Sequence, residues 1–92
     1  MDLLEKEFGN KAIIRGGIYL YNTSDALEVI ARCKELGLRI LGIDSFKITS
    51  TTTQPILEHS VEFMEKEGSW ADATDFVTKR IDKGFVYEVV YE

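Results

Sequence analysis

A single cysteine, a single histidine, a single proline and a single tryptophan among 92 residues exclude several classes of protein at once. One cysteine cannot close an internal disulfide, so a disulfide-stapled secreted scaffold is out and the cytoplasm is the expected compartment. Cys33 and His59 cannot supply the three or four ligands of a structural metal site, and neither a metal nor a cofactor is expected. No apolar run approaches the ~18 residues of a membrane span, and the opening Asp2-Leu3-Leu4-Glu5-Lys6-Glu7 is too acidic for a signal peptide, so no membrane partner is expected. Repeats, low-complexity tracts and Pro/Gly-rich linkers are also missing, which leaves one domain over 1–92 with a thin core. Positive charge is scarce: 11 Lys+Arg against 16 Asp+Glu give a net charge of -5, which opposes binding to nucleic acid.

What is present is the composition of a folded globule, 45% hydrophobic and 29% charged. Leu3, Leu4 and Phe8 at helical spacing predict a short helix ended by Gly9-Asn10. The β-branched and aromatic residues from Ala12 to Tyr21 predict a strand bent or bulged at Gly16-Gly17. Asn22-Thr23-Ser24-Asp25 offers N-caps for a helix with Leu27, Ile30, Ala31 and Leu36 on one face and Gly37 as a left-handed C-cap. Leu38 to Thr49 reads as a central strand with apolar residues on both faces. Thr49 to Gln54 is a polar loop. Ile56 to Met64 fits either a helix begun by Pro55 or a strand, and the strand is preferred because it makes a short hairpin with its predecessor. Ser69 starts a helix with Trp70, Ala73, Val77 and Ile81 on one stripe, ended by Gly84. Phe85 to Tyr91 alternates as the last strand. The order strand, helix, strand, strand, helix, strand is the ferredoxin-like βαββαβ arrangement, an α+β two-layer sandwich with an antiparallel sheet.

No constellation carries catalytic chemistry. His59 and Ser60 are neighbours on a strand, so they point to opposite faces and do not form a triad with Asp44. The turn before the first long helix holds Asp25 in place of phosphate-binding glycines. Tyr19, Tyr21, Phe85, Tyr87 and Tyr91 sit on strands without the basic residues of an RNA-stacking platform, and fit better as core. Cys33 reads as a small buried hydrophobe. The acidic residues are more suggestive. Glu58, Glu62, Glu65, Glu67, Asp72 and Asp75 crowd one stretch beside a single basic residue, Lys66, and suit either a solvated face or a surface that steers a basic protein. Trp70, inside that stretch, is either a core anchor or a central interface residue.

The segment from Leu36 to Glu92 resembles small immunity proteins of bacterial polymorphic-toxin systems, such as contact-dependent inhibition. The resemblance rests on Ile40-Leu41-Gly42-Ile43-Asp44-Ser45-Phe46, on the polar loop reaching Pro55, on the acidic stretch before Gly68-Ser69-Trp70-Ala71, and on Phe76 and the closing Phe85-Val86-Tyr87-Glu88-Val89-Val90. Such families tend to show Gly-Gly-Asp where this chain has Gly42-Ile43-Asp44. The resemblance implies a non-enzymatic inhibitor that occludes the active site of a cognate, basic toxin. Asp44, Glu58, Glu62 and Glu65 would then face the toxin, with Phe46 or Trp70 filling a pocket. The alternative is a small oligomeric ferredoxin-like regulatory module that binds a metabolite between subunits; homodimerisation stays open in both readings.

Overall fold

The structure, a computed structural model, describes residues 2–63 and 69–92. Helix α1 (Leu3–Phe8) begins at a capping box in which Asp2 accepts from the Glu5 amide and Glu5 reaches back to the Asp2 amide. Strands β1 (Ile13–Arg15) and β2 (Ile18–Leu20) then form a hairpin. Gly16 and Gly17 are its two-residue turn and not a bend inside one strand. Both have positive φ, 57° and 82°, the conformation a tight hairpin demands and glycine adopts without strain.

Helix α2 (Thr23–Leu36) starts at Asn22, whose side chain accepts from the Asp25 amide, and stops at Gly37 with φ 71°, the left-handed cap expected there. The buried side is Ala26, Val29, Ile30 and Cys33, rotated from the Leu27, Ile30, Ala31, Leu36 stripe that the sequence suggests. Small Ala26 and Cys33 let the helix approach the sheet closely, and Leu27 and Leu36 flank the contact. Helix α3 (Trp70–Thr78) buries Ala73 and Val77 against the same core. It ends before Ile81, which therefore leaves the expected stripe and is 65% exposed.

The central strand is β3 (Ile40–Ile48), paired antiparallel with β6 (Val86–Tyr91) on one side. On its other side lie β4 (Thr53–Pro55) and β5 (Val61–Glu62). The predicted strand over 56–64 is thus a strand only at Val61–Glu62, with a 3-10 turn at Leu57–His59, and Met64 falls outside the described residues. The reason is register. Phe46 pairs with Pro55 and Ile43 with Val61, so two residues of β3 oppose five on the edge, and the 3-10 turn absorbs the excess. Tyr21 and Tyr87 exchange backbone hydrogen bonds of 2.8 Å, which joins the hairpin to the free side of β6. The last strand therefore lies between the first and second segments of sheet, where the ferredoxin-like order would put the third. What holds is the α+β class, with α2 and α3 on one face of antiparallel strands.

The two faces of the sheet differ. Tyr87 and Val89 of β6, with Phe85 just before it, join Ile40 and Ile43 of β3 under the helices, and Tyr91 packs against the same core. A bulge at Leu41 lets Ile40 and Ile43 share that side although they are three residues apart. On the other face the hairpin folds over one end, where Leu20 packs with Phe46 and Val86 beside Ile13, Ile18 and Ile48. Arg15 fastens it by donating to the carbonyls of Thr49 (2.8 Å) and Thr52 (3.3 Å) and to Thr53 Oγ1 (3.2 Å). No element among the described residues covers the remainder of that face.

Gly37 provides a clean check on the α2 boundary. A Cβ there would meet nothing within 4 Å, so any cost of Gly37→Ala is conformational and not steric. Replacement should lower stability by about 1 kcal/mol in a denaturant melt, with no change in the circular dichroism of the folded protein.

Candidate functional site

The uncovered part of the sheet is built by strand alternation. On this face Gly42 of β3 stands between Glu62 of β5 and Val90 of β6, and one step along the sheet Asp44 stands opposite Glu88. Gly42 has to be glycine, because a Cβ would come within 2.7 Å of the Val61 carbonyl oxygen. Its missing side chain also leaves a low floor framed by two carboxylates and a valine. Arg39, Leu41, Gly42, Asp44, Val61, Glu62 and Val90 line the resulting groove of about 470 Å³. Arg39 is turned to the chain end, where it pairs with Glu92 at 2.9 Å. Asp44, Glu62 and Glu88 have no hydrogen bond or ion pair with any described residue.

Like charges directly across a strand pair are unfavourable, and the Asp44–Glu88 pair is of that kind. Partial burial, and then the neighbouring Asp44 charge, push the Glu88 carboxyl above its ordinary 4.5. On the far side of Val90, Glu88 joins Asp2, Glu5, Tyr19 and Tyr91 around a smaller hollow of about 240 Å³. The bare face therefore carries unpaired negative charge over an apolar floor, and its chemistry suits a cation borne on a hydrocarbon stem. It places no nucleophile beside a base.

The residues singled out from the sequence are dispersed. Asp44 and Glu62 come together in this groove. Glu58 is exposed on the 3-10 turn and lines a separate hollow with Lys47, His59, Asp82, Lys83 and Phe85, on the helix side of the sheet. Glu65 lies outside the described residues, as does Glu67. Phe46 is only 8% exposed and is held by Leu20 and Val86, so it offers little surface to a partner. Trp70 is half-buried at the start of α3, with its indole N–H donating to the Leu38 carbonyl at 2.8 Å, and acts as an anchor between α3 and the chain entering β3. Glu88 was not among the candidates. Its signal was its place in the last strand, on the side away from Tyr87 and Val89, but only the register with β3 shows that it meets Asp44.

His59 does not approach Asp44; its Nδ1 accepts from Arg80 Nε at 3.1 Å and its ring leans on Phe85. Tyr21, Phe85 and Tyr87 are buried, and Tyr19 and Tyr91 are partly buried against the same core. Cys33 is fully buried, and burial first, then the Asp2 charge, pushes its thiol up to about 12. Among the described residues no three metal-ligating side chains converge, and no helix is long and apolar enough to cross a membrane. No protein-family model matches the chain, and no curated protein matches it in sequence.

Two measurements check this geometry. A water-soluble thiol reagent at pH 8 should label Cys33 only as fast as the protein opens, with labelling accelerating through a denaturant transition; rapid labelling of the folded state contradicts the burial. Glu88→Gln removes one of two opposed charges and should raise stability at pH 7 and low salt by roughly 0.2–0.5 kcal/mol, water screening keeping the gain small. The sign with pH follows from the raised folded-state value. Ionised Glu88 disfavours the fold, so wild type recovers stability as pH falls through that value, and the gap between the two proteins should close toward pH 4.

Proposed function

We propose that this protein is a non-enzymatic binding protein of the immunity type, which neutralises a basic protein toxin in the cytoplasm by laying the bare face of its sheet against it. The observation that carries the reading is the opposition of Asp44 and Glu88, beside Glu62, on the one sheet face that the helices and the hairpin leave uncovered. A fold that needed only solubility has no use for a like-charge pair at adjoining central strands; a basic partner relieves it. The resemblance of Leu36 to Glu92 to immunity proteins supports the same reading. The Asp44 part of that segment is the strand that carries the groove.

Occlusion fits the shape of the surface. Apolar Leu41 and Val90 beside carboxylates give a partner both burial and charge complementarity, and the charge speeds encounter as well as setting orientation. Glu58, on the opposite side of the sheet, lies outside the contact on this reading, and Phe46 supports the face from beneath the hairpin.

The test is a double reversal, Asp44→Lys with Glu62→Lys, which changes the local charge by four units on side chains that hold nothing in the fold. Co-expressed with a candidate toxin, the product of an adjacent gene, the double variant should be folded by circular dichroism yet fail to protect the cell. Association with that product should slow by about ten-fold or more, and the wild-type rate should fall as salt rises. Full protection by the variant, with binding indifferent to salt, would sink the sheet-face reading; a metabolite-dependent dimer in the same preparations would favour the regulatory-module alternative.

A further inference from the structure

We infer that the groove over Gly42 is a receptor for one arginine side chain of the partner, its stem lying on Leu41 and Val90 and its guanidinium engaging Asp44 and Glu62. This deepens the sheet-face reading and rests on it. Asp44 and Glu62 are diagonal neighbours across β3 and β5, one step along the sheet from each other, and the residue opposite Glu62 is the side-chain-free Gly42. Two carboxylates on different strands thus border a floor low enough to admit a side chain between them. Diagonal sites of a sheet lie roughly 7–8 Å apart at Cα, close enough for both carboxylates to reach one guanidinium, whose planar five-donor fork can form paired bonds that an ammonium cannot.

The groove is amphipathic in the same sense as arginine itself. Leu41 and Val90 give it hydrocarbon, the Val61 backbone closes it beside Gly42, and Asp44 and Glu62 supply its two anionic groups. The chain's own nearby guanidinium does not fill it, since Arg39 is held by Glu92 at 2.9 Å. Glu88, facing Asp44 across β6, adds negative potential without lining the groove, so it strengthens attraction to any cation that enters. Neutral or acidic side chains would leave both carboxylates desolvated and unpaired, which is the basis for selectivity.

The experiment titrates the protein with N-acetyl-arginine amide and, separately, with its neutral near-isostere N-acetyl-citrulline amide, at fixed ionic strength, following backbone amide shifts by NMR. Saturable shifts with the arginine probe, confined to Gly42, Asp44, Glu62, Val90 and their neighbours, are expected. They should be absent with citrulline, and in Asp44→Asn/Glu62→Gln should require at least about ten-fold more probe. Shifts shared by citrulline, or spread equally over remote carboxylates such as Glu28 and Glu58, would overturn the assignment. If the arginine titration fails while the double charge reversal still abolishes protection, the arginine receptor is lost and the docking face stands. If protection also survives the reversal, both fall.

Discussion

The antiparallel pairing of β3 with β6 is the constraint on which the other features depend. It runs from Phe46–Val86 to Ile40–Tyr91, and the backbones of Arg39 and Glu92 extend it with reciprocal bonds of 2.9 and 3.0 Å. Because side chains alternate on both strands, this one register decides what lies under the helices and what faces away. A slip of one residue would put Tyr87 and Val89 in water and carry Glu88 into the core, at a cost the thin core of a 92-residue chain could not bear. The bulge at Leu41 resolves the single conflict in the pattern. It turns Ile40 into the core, and Leu41, left unmatched in the ladder, becomes a wall of the groove.

The second face shows a division of labour along the same two strands. Near the β3 C-terminus the exposed side is apolar, Phe46, Ile48 and Val86, and needs cover. The hairpin supplies it, clamped by Arg15 to the loop after β3 and bonded to β6 through Tyr21. Two residues back along β3, the side chain is Asp44, and beyond it the cover stops. The ion pairs among the described residues, Lys11–Glu28, Arg32–Glu7, Arg32–Glu35 and Arg39–Glu92, all involve exposed or half-exposed groups and contribute little to stability. None of these cations pairs with Asp44, Glu62 or Glu88, and Arg39, which borders the groove, is bonded to Glu92. The local cost left there is small, and it is one that the fold tolerates without an ion pair of its own.

Local signals were legible in the sequence and pairing was not. Gly37 reads as a cap because a left-handed residue after a polar helix end has few alternatives to glycine, and the alternation of Phe85 to Tyr91 reads correctly because nothing interrupts the period of two. Gly16-Gly17 carries a hairpin signal that the surrounding apolar run obscures: Ile13-Ile14 and Ile18-Tyr19-Leu20 look like one strand until both glycines adopt positive φ. The 56–64 segment misleads for a physical reason. Leu57, His59, Val61 and Phe63 alternate faithfully, yet the edge must lose three residues to keep step with β3, and it does so at Leu57, which ends 81% exposed. A sequence period states which face a residue would take if paired, but not whether pairing is kept.

The same limit separates the part of the site that could be read from the part that could not. Asp44 and Glu62 stand out as acids near apolar strand residues, but so does Glu58, and composition cannot tell them apart. The sheet does. Glu62 pairs with Gly42 on the bare face, whereas the 3-10 turn swings Glu58 to the hollow below α3, beside Lys47 and Lys83. Clustering along the chain is therefore a poor guide to clustering in space on an edge that bulges. The carboxylates of this face come from three separate strands, and of the acidic run only Glu62 is among them. Since opposed Asp44 and Glu88 are fixed by the register that buries Tyr87 and Val89, the fold cannot move them apart without unmaking its core. Protonation of Glu88 at lower pH or a cation from outside the chain would neutralise them, so the pairing that holds the core together also fixes the charge on this face.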